Sequence, residues 1–358
     1  MIEVRATATT RPLGMPAALA RIVVHEAKRD RWKLRTGPFD PADFARLPKR
    51  DWTLLVQDVD KWDADVATLL PRFSFLPRWR IDDVMVSYAV DGGSVGAHVD
   101  NYDVFLLQGL GRRRWSISTD PRASKATRDD AEIKLLRTFE PTHEWVLEPG
   151  DMLYLPPGVP HHGVAIGECM TYSIGMRAPS RAELLIDFAE TFAAEWTEEL
   201  RFGDADLMPT DGDGEIDDAA FARVFAAMPW LRADSRELDA SMLRTWFASF
   251  ITRYRSALSA VPRARKISDA EIARARASSA EVVRNPWSRS AWLRAGREAR
   301  LFVAGAELPC SVRFARRIGA GAAFALADVA APRDRDALRR LVDLGHVSLV
   351  KPARRSRR

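Results

Sequence analysis

Between residues 81 and 176, short apolar runs alternate with turns rich in Gly, Pro and Asp. The runs fall at 84–90, 104–108, 114–117, 145–147, 152–155 and 170–176. Many short strands in succession predict a barrel or a sandwich. Upstream, 31–36 and 52–56 read as strands, and 41–44 and 63–70 as short helices. Residues 1–24 carry no clear period.

The pattern changes at Ser180. The spacing Ser180-x-x-Glu183 is a capping box, and Leu184, Leu185, Phe188, Phe192 and Trp196 then recur at helical intervals. Gly203 is a suitable stop, and residues 203–218 hold seven acids among Gly and Pro and read as a loop. A calcium loop fails there, because Ile216 stands where the glycine is required. Helices are predicted over 219–228 and 241–258. The second carries Leu243, Trp246, Phe247, Phe250, Ile251 and Tyr254, enough apolar surface for a core or for a dimer interface. Ser268-x-x-Glu271 opens another helix. A helix over 334–344, a stop at Gly345 and a strand over 346–350, with an earlier strand at 301–303, predict a small winged-helix-like unit.

A chain of 358 residues has room for two or three domains, and 47% hydrophobic with 29% charged residues is ordinary for a soluble protein. No run reaches the ~20 apolar residues that span a bilayer, and the N-terminus lacks the apolar core of a secretory signal. Two isolated cysteines, Cys169 and Cys310, give neither a disulfide framework nor a zinc spacing. A cytoplasmic location is expected. Of the net charge of +5, all is accounted for by the five cations of the tail from Lys351 to Arg358, so the body is close to neutral. The tail reads as a solvated end.

The chemistry centres on His98 and Asp100. On a strand, residues two apart share a face, so both reach one metal while Val99 points away. A third ligand has to come from a distant strand. The segment from Gly150 to His161 fits the second metal motif of cupin barrels: a Gly, five residues, Pro-x-Gly, two residues and a His. This register selects His161 and sends His162 to the opposite face. Two imidazoles and a carboxylate form the facial triad that holds Fe(II) and leaves positions open for a co-substrate and O2.

Three stretches around this triad resemble the JmjC-type ribosomal oxygenases, and within them the bacterial ribosomal protein arginine hydroxylases. They are the run from His98 to Trp115, the segment from Trp79 to Met85 before it, and the segment from Met170 to Pro179 after it. The resemblance covers roughly residues 52–179 closely and the helical remainder loosely. It implies a double-stranded β-helix followed by a helical dimerisation region and a C-terminal winged helix. It also implies an Fe(II)- and 2-oxoglutarate-dependent, O2-consuming hydroxylase acting on an arginine of a large-subunit ribosomal protein. A homodimer is implied, with no specific DNA binding and no membrane. A histidyl hydroxylase or a demethylase on the same metal cage, or a non-catalytic cupin-like binding module, are the alternatives.

Carried onto this chain, the resemblance makes His98, Asp100 and His161 the iron ligands. It makes Arg113 the cation for the distal carboxylate of 2-oxoglutarate, with Arg112 and Arg114 on the other face. Ser87 and Thr171 fall near the co-substrate. Asp91 and Asp103 are candidates to receive a cationic substrate side chain. The implied division is an oxygenase domain over 1–179, a dimerisation region over 180–265 and a winged-helix-like domain with a basic tail over 266–358. Relatives carry an extended leader that builds the outer strands. Here the recognisable sequence begins at His25, so either a shortened outer layer or a misassigned start is expected.

Overall fold

A computed structural model describes residues 20–194, 222–224, 226, 228, 240–254 and 259–351. Among these, nine strands join in one sheet that curls on itself. They are β1 (Ala20–Glu26), β2 (Arg31–Thr36), β3 (Trp52–Val56), β4 (Asp83–Ala89), β5 (His98–Val99), β6 (Asp103–Ile117), β7 (His143–Leu147), β8 (Met152–Leu155) and β9 (Pro160–Met176). The order is β2-β1-β3-β4-β9-β6-β7, with β5 against β9 and β8 against β6. Two short helices, α1 (Pro41–Ala45) and α2 (Ala64–Ala67), lie in the crossovers. Asp40 caps α1 in a capping box with Asp43, and Asp63 caps α2 through Asp65 and Val66.

Among the described residues, an outer strand begins ahead of His25. β1 runs from Ala20 between β2 and β3. Its Ile22 and Val23 are both buried, because the strand is covered on both faces. Such a strand shows no period of two, which is why this stretch carries no readable pattern.

β4 shows how the barrel divides its two faces. Val84, Val86 and Tyr88 are fully buried in a core with Ile22, Leu54 and Ile174. Asp83, Met85 and Ser87 face the other way and line the cavity. The runs at 104–108 and 114–117 are one strand, not two. β6 pairs with β9 from Asp103 to Ile117 and absorbs register shifts between Gln108 and Arg112. Gly109 and Gly111 allow the bulge. A Cβ on Gly111, at φ +60°, would lie 2.0 Å from the Glu168 carbonyl oxygen. Gln108 pins the bulge, donating to the Leu110 carbonyl at 2.9 Å and accepting from the Thr171 hydroxyl at 2.9 Å. Gly111→Ala is expected to cost on the order of 3 kcal/mol, from left-handed strain and the clash together. Denaturant midpoints of the two proteins check this; an unchanged midpoint contradicts it.

The helix predicted after Ser180 is α3 (Arg181–Ala193), with the capping box present. It meets α4 (Ala240–Arg253) through Asp187, which accepts from the Trp246 indole at 2.9 Å and from both terminal nitrogens of Arg253 at 2.6 and 2.8 Å. Trp196, the stop at Gly203, the loop over 203–218 and most of the helix expected over 219–228 lie outside the described residues.

The C-terminal unit follows. It contains α5 (Asp269–Ala277), β10 (Glu281–Arg284), β11 (Ser290–Ala295), β12 (Glu298–Val303), β13 (Ala306–Ser311), α6 (Val312–Ala320), β14 (Phe324–Ala325), α7 (Pro332–Asp343) and β15 (Val347–Val350). The strands form two three-stranded sheets, β14-β10-β15 and β11-β12-β13. Leu301, Leu308, Phe314, Ile318 and Leu341 fill the core between them and the helices. Arg289 ties this unit to the barrel, donating to Asp82 at 2.5 Å and to the Trp79 carbonyl at 2.9 Å.

Candidate active site

β5 is only two residues long, but it sets the site. It pairs antiparallel with the start of β9, so His98 stands directly opposite His161. Opposed residues share a face, and the two imidazole centroids lie 4.2 Å apart. Each Nδ1 is 2.9–3.0 Å from a backbone carbonyl, Gly96 for His98 and Val159 for His161. A carbonyl only accepts, so each Nδ1 carries the hydrogen and each Nε2 keeps its lone pair. Both Nε2 atoms are 3.8 Å from one oxygen of Asp100. The three ligand atoms lie within 4.8 Å of one another. Two metal bonds of about 2.1 Å bridge roughly that span. The donor set therefore fits a divalent metal, with the carbonyls supplying the orienting outer contacts such ligands require.

His161 is 3% exposed, and burial, then the neighbouring His98, push its pKa down to about 4. Burial does the same to His162, which turns away from the site and packs edge-on against Phe139. Both are neutral and ready to act as bases or ligands at neutral pH. A depressed folded pKa means the unfolded chain binds protons first. The stability these groups contribute is fully present above about 6.5, the ordinary histidine value, and is lost as pH falls toward 4. The metal-free protein is expected to lose melting temperature over that window, and less so in His161→Asn. Melting curves at stepped pH check this, and parallel curves for the two proteins contradict it.

These ligands open on a cavity of about 420 Å³. Arg113 lies in its wall, 6% exposed, as the alternation along β6 requires, with Arg112 and Arg114 exposed on the other face. Its Nη1 donates to the Ser87 hydroxyl at 3.2 Å. Its Nε and Nη2 are buried and have no partner among the described residues. Those two nitrogens form one edge of the guanidinium, the fork that binds a carboxylate bidentately. A buried donor pair of this kind is costly unless an anion completes it. The cavity thus fits a metal on one wall and a carboxylate on another.

Not every expected residue reaches the cavity. Ser87 does. Thr171 does not line it; its hydroxyl is spent on Gln108 at the bulge. Asp91 also lies outside, accepting from the Gly167 amide at 3.0 Å and pairing with Arg50 at 3.1 Å. Asp103 lies outside as well, held by Arg80 at 3.3 Å and by the Tyr154 hydroxyl at 2.6 Å. Both acids have local partners that take their charge.

The cavity instead brings in residues the sequence reading did not assign. Asp83 lines it, and burial, then the nearby Asp58, raise its carboxyl to about 7. Arg21, from the unpatterned N-terminal stretch, lines it too, with a buried Nε that lacks a partner among the described residues. Tyr102 and Arg177 complete that side, the guanidinium 5.5 Å from the phenol ring centre. Burial, then the Asp100 carboxylate, push the Tyr102 hydroxyl up to about 12. The pair Asp82-Asp83 was visible in sequence, but nothing local separates an acid facing a cavity from one facing a partner.

The JmjC domain family matches residues 68–184, and the ROXA-like winged helix matches residues 231–350. The Escherichia coli protein named ribosomal protein uL16 3-hydroxylase is 36% identical over 245 residues, 68% of this chain and 62% of that protein. A probable ribosomal oxygenase of Haemophilus influenzae is 40% identical over 164 residues, 46% of this chain and 40% of its own length. The chain thus aligns with less than two thirds of either curated relative. The crystal structure of E. coli YcfD superposes with a TM-score of 0.80 at 29% identity, covering 98% of this chain and 90% of that one. The ribosomal oxygenase YcfD in complex with cobalt and 2-oxoglutarate superposes with a TM-score of 0.75 at 30% identity, covering 97% and 90%. With both of its folded units matched and nearly its whole length superposed, the chain belongs to the JmjC-domain ribosomal oxygenases.

Proposed function

We propose that this chain is an Fe(II)- and 2-oxoglutarate-dependent hydroxylase that acts on the β-carbon of an arginine side chain in a large-subunit ribosomal protein. One observation carries the reading. The convergent donors of His98, Asp100 and His161 share a cavity with the partnerless edge of Arg113. A relative bears the name ribosomal protein uL16 3-hydroxylase, which supports the substrate class. The buried Asp83 carboxyl in the same cavity favours a cationic side chain over an imidazole.

Bound Fe(II) with 2-oxoglutarate and O2 supplies oxidative decarboxylation to succinate and CO2, with one oxygen atom inserted into the substrate. The protein's own groups do the positioning. His98 and His161 offer Nε2, oriented through Nδ1, and Asp100 offers a carboxylate oxygen. Arg113 receives the distal carboxylate of the co-substrate, with its guanidinium held in place by Ser87. Val104, Leu106 and Trp115 give the cavity an apolar wall.

The aromatic face shared by α3 and α4 is read as a homodimer surface, and the division at 179 and 265 as the boundaries of the three units. The protein is read as cytoplasmic, with no specific DNA target. Among the described residues no helix is long and apolar enough to cross a membrane.

The test is 2-oxoglutarate turnover with Fe(II) and a peptide from an arginine-containing loop of a large-subunit ribosomal protein, followed by mass spectrometry. The expected result is a gain of one oxygen on arginine, absent in His98→Ala. Succinate without peptide oxidation keeps the oxygenase and rejects the substrate. No turnover with metal bound favours a cupin-like binding module.

A further inference from the structure

A second, much smaller cavity lies where the barrel meets the C-terminal unit. Its walls include Lys61, Arg78 and Asp82 from the barrel side and Arg284, Arg289 and Ser290 from the other. Four cations meet here against three nearby acids, Asp58, Asp60 and Asp82. Asp82 is taken by Arg289 at 2.5 Å, with Arg177 3.9 Å away. Asp60 is taken by Lys61 at 2.8 Å and by the Val84 amide at 2.8 Å. Arg78 and Arg284 have no ion pair within 4 Å among the described residues, and Asp60 acts on both only from further away.

Their hydrogen bonds are few among the described residues. Arg78 reaches the Ile81 carbonyl only at 3.4 Å. Arg284 donates to the Ser290 hydroxyl at 3.0 Å, and its Nε is buried without a partner. Its guanidinium lies over Gly321, the left-handed cap of α6, where a Cβ would come within 2.7 Å of Nη2. The carbonyl end of α6 offsets part of its charge. The strain remains visible. Burial, then the Arg78 charge, push Arg284 down to about 10, and burial lowers Arg78 as well. Arginine does not shed its proton to escape such a place. A half-buried pair of like charges that Asp60 offsets only in part calls for a counterion.

The size of the cavity selects the counterion. With about 20 Å³ of room, a single small ion is the occupant that fits best. We propose that this junction is a chloride site, with Arg78 from the barrel and Arg284 from the C-terminal unit sharing one halide. Ser290 accepts from Arg284, so its own hydroxyl hydrogen is left to donate to the ion. The ion ties the two units together. The proposal does not depend on the reading of the metal site.

The test is thermal unfolding of the full chain at fixed ionic strength, with gluconate replaced stepwise by chloride. Wild-type Tm is expected to rise saturably, by about 2–4 °C once chloride is well above its Kd. Arg78→Glu places a carboxylate opposite Arg284. It is expected to melt in gluconate at least as high as wild type does in chloride, with no further response. Arg284→Met is expected to lose the response as well. If that variant does not fold, Arg78→Glu decides alone. Equal wild-type Tm in the two salts, or an Arg78→Glu protein still responsive to chloride, overturns the proposal.

Discussion

Replacing His161 with alanine is expected to abolish turnover and to lower metal affinity by well over 100-fold. Even changes in the outer contacts of a metal ligand cost 10- to 100-fold, and this change removes a ligand outright. The geometry makes the loss hard to repair. His161 faces His98 across the β5–β9 pair, and the next histidine along, His162, points to the opposite face and packs on Phe139. A one-residue slip of β9 to recruit His162 would invert every side chain of the strand. The fold at neutral pH should survive with only the cost of a vacated buried side chain, roughly 1–3 kcal/mol. The check is equilibrium metal binding beside a melting curve. A variant that still binds Fe(II) at wild-type affinity contradicts the assignment.

Arg113→Met is expected to raise the KM for 2-oxoglutarate by ~30-fold to several thousand-fold, with metal binding intact. Removing one partner of a desolvated charge pair costs about 2–5 kcal/mol, and each 1.4 kcal/mol is tenfold. The methionine fills similar space but leaves the incoming carboxylate without its fork. Arg113→Lys should recover part of the affinity, because an ammonium restores charge but not the bidentate edge. Steady-state kinetics in varied 2-oxoglutarate, beside metal titration, separates the two effects. An unchanged KM in Arg113→Met contradicts the role.

The convergence of His98, Asp100 and His161 was legible because its signals are local. His98 and Asp100 share a strand face, and the turn from Pro156 to Gly158 fixes the register of His161. Arg113 was legible through the resemblance, and alternation then put Arg112 and Arg114 on the other face, in agreement with their exposure. The strand β1 and its Arg21 were not, since a strand buried on both faces shows no period. Asp91 and Asp103 read as substrate acids because sequence does not show the ion pairs with Arg50 and Arg80 that occupy them. Asp83 was missed for the converse reason. Its raised carboxyl comes from burial and from the neighbouring Asp58, which depend on segments brought together only by the fold. The sheets of the C-terminal unit were only partly legible. Strands β11 and β13 are short, and their pairing is set by β12 between them. The chloride junction joins Arg78 to Arg284 across two units, and no local pattern announces it.

The central claim is that one cavity binds the metal and 2-oxoglutarate together. The most direct measurement is anaerobic calorimetric titration of 2-oxoglutarate into the protein, with and without Fe(II). The account predicts tight binding that requires the metal, is weakened in Arg113→Met and is lost in His98→Ala. Binding that is indifferent to the metal, or unaffected by Arg113→Met, would contradict it.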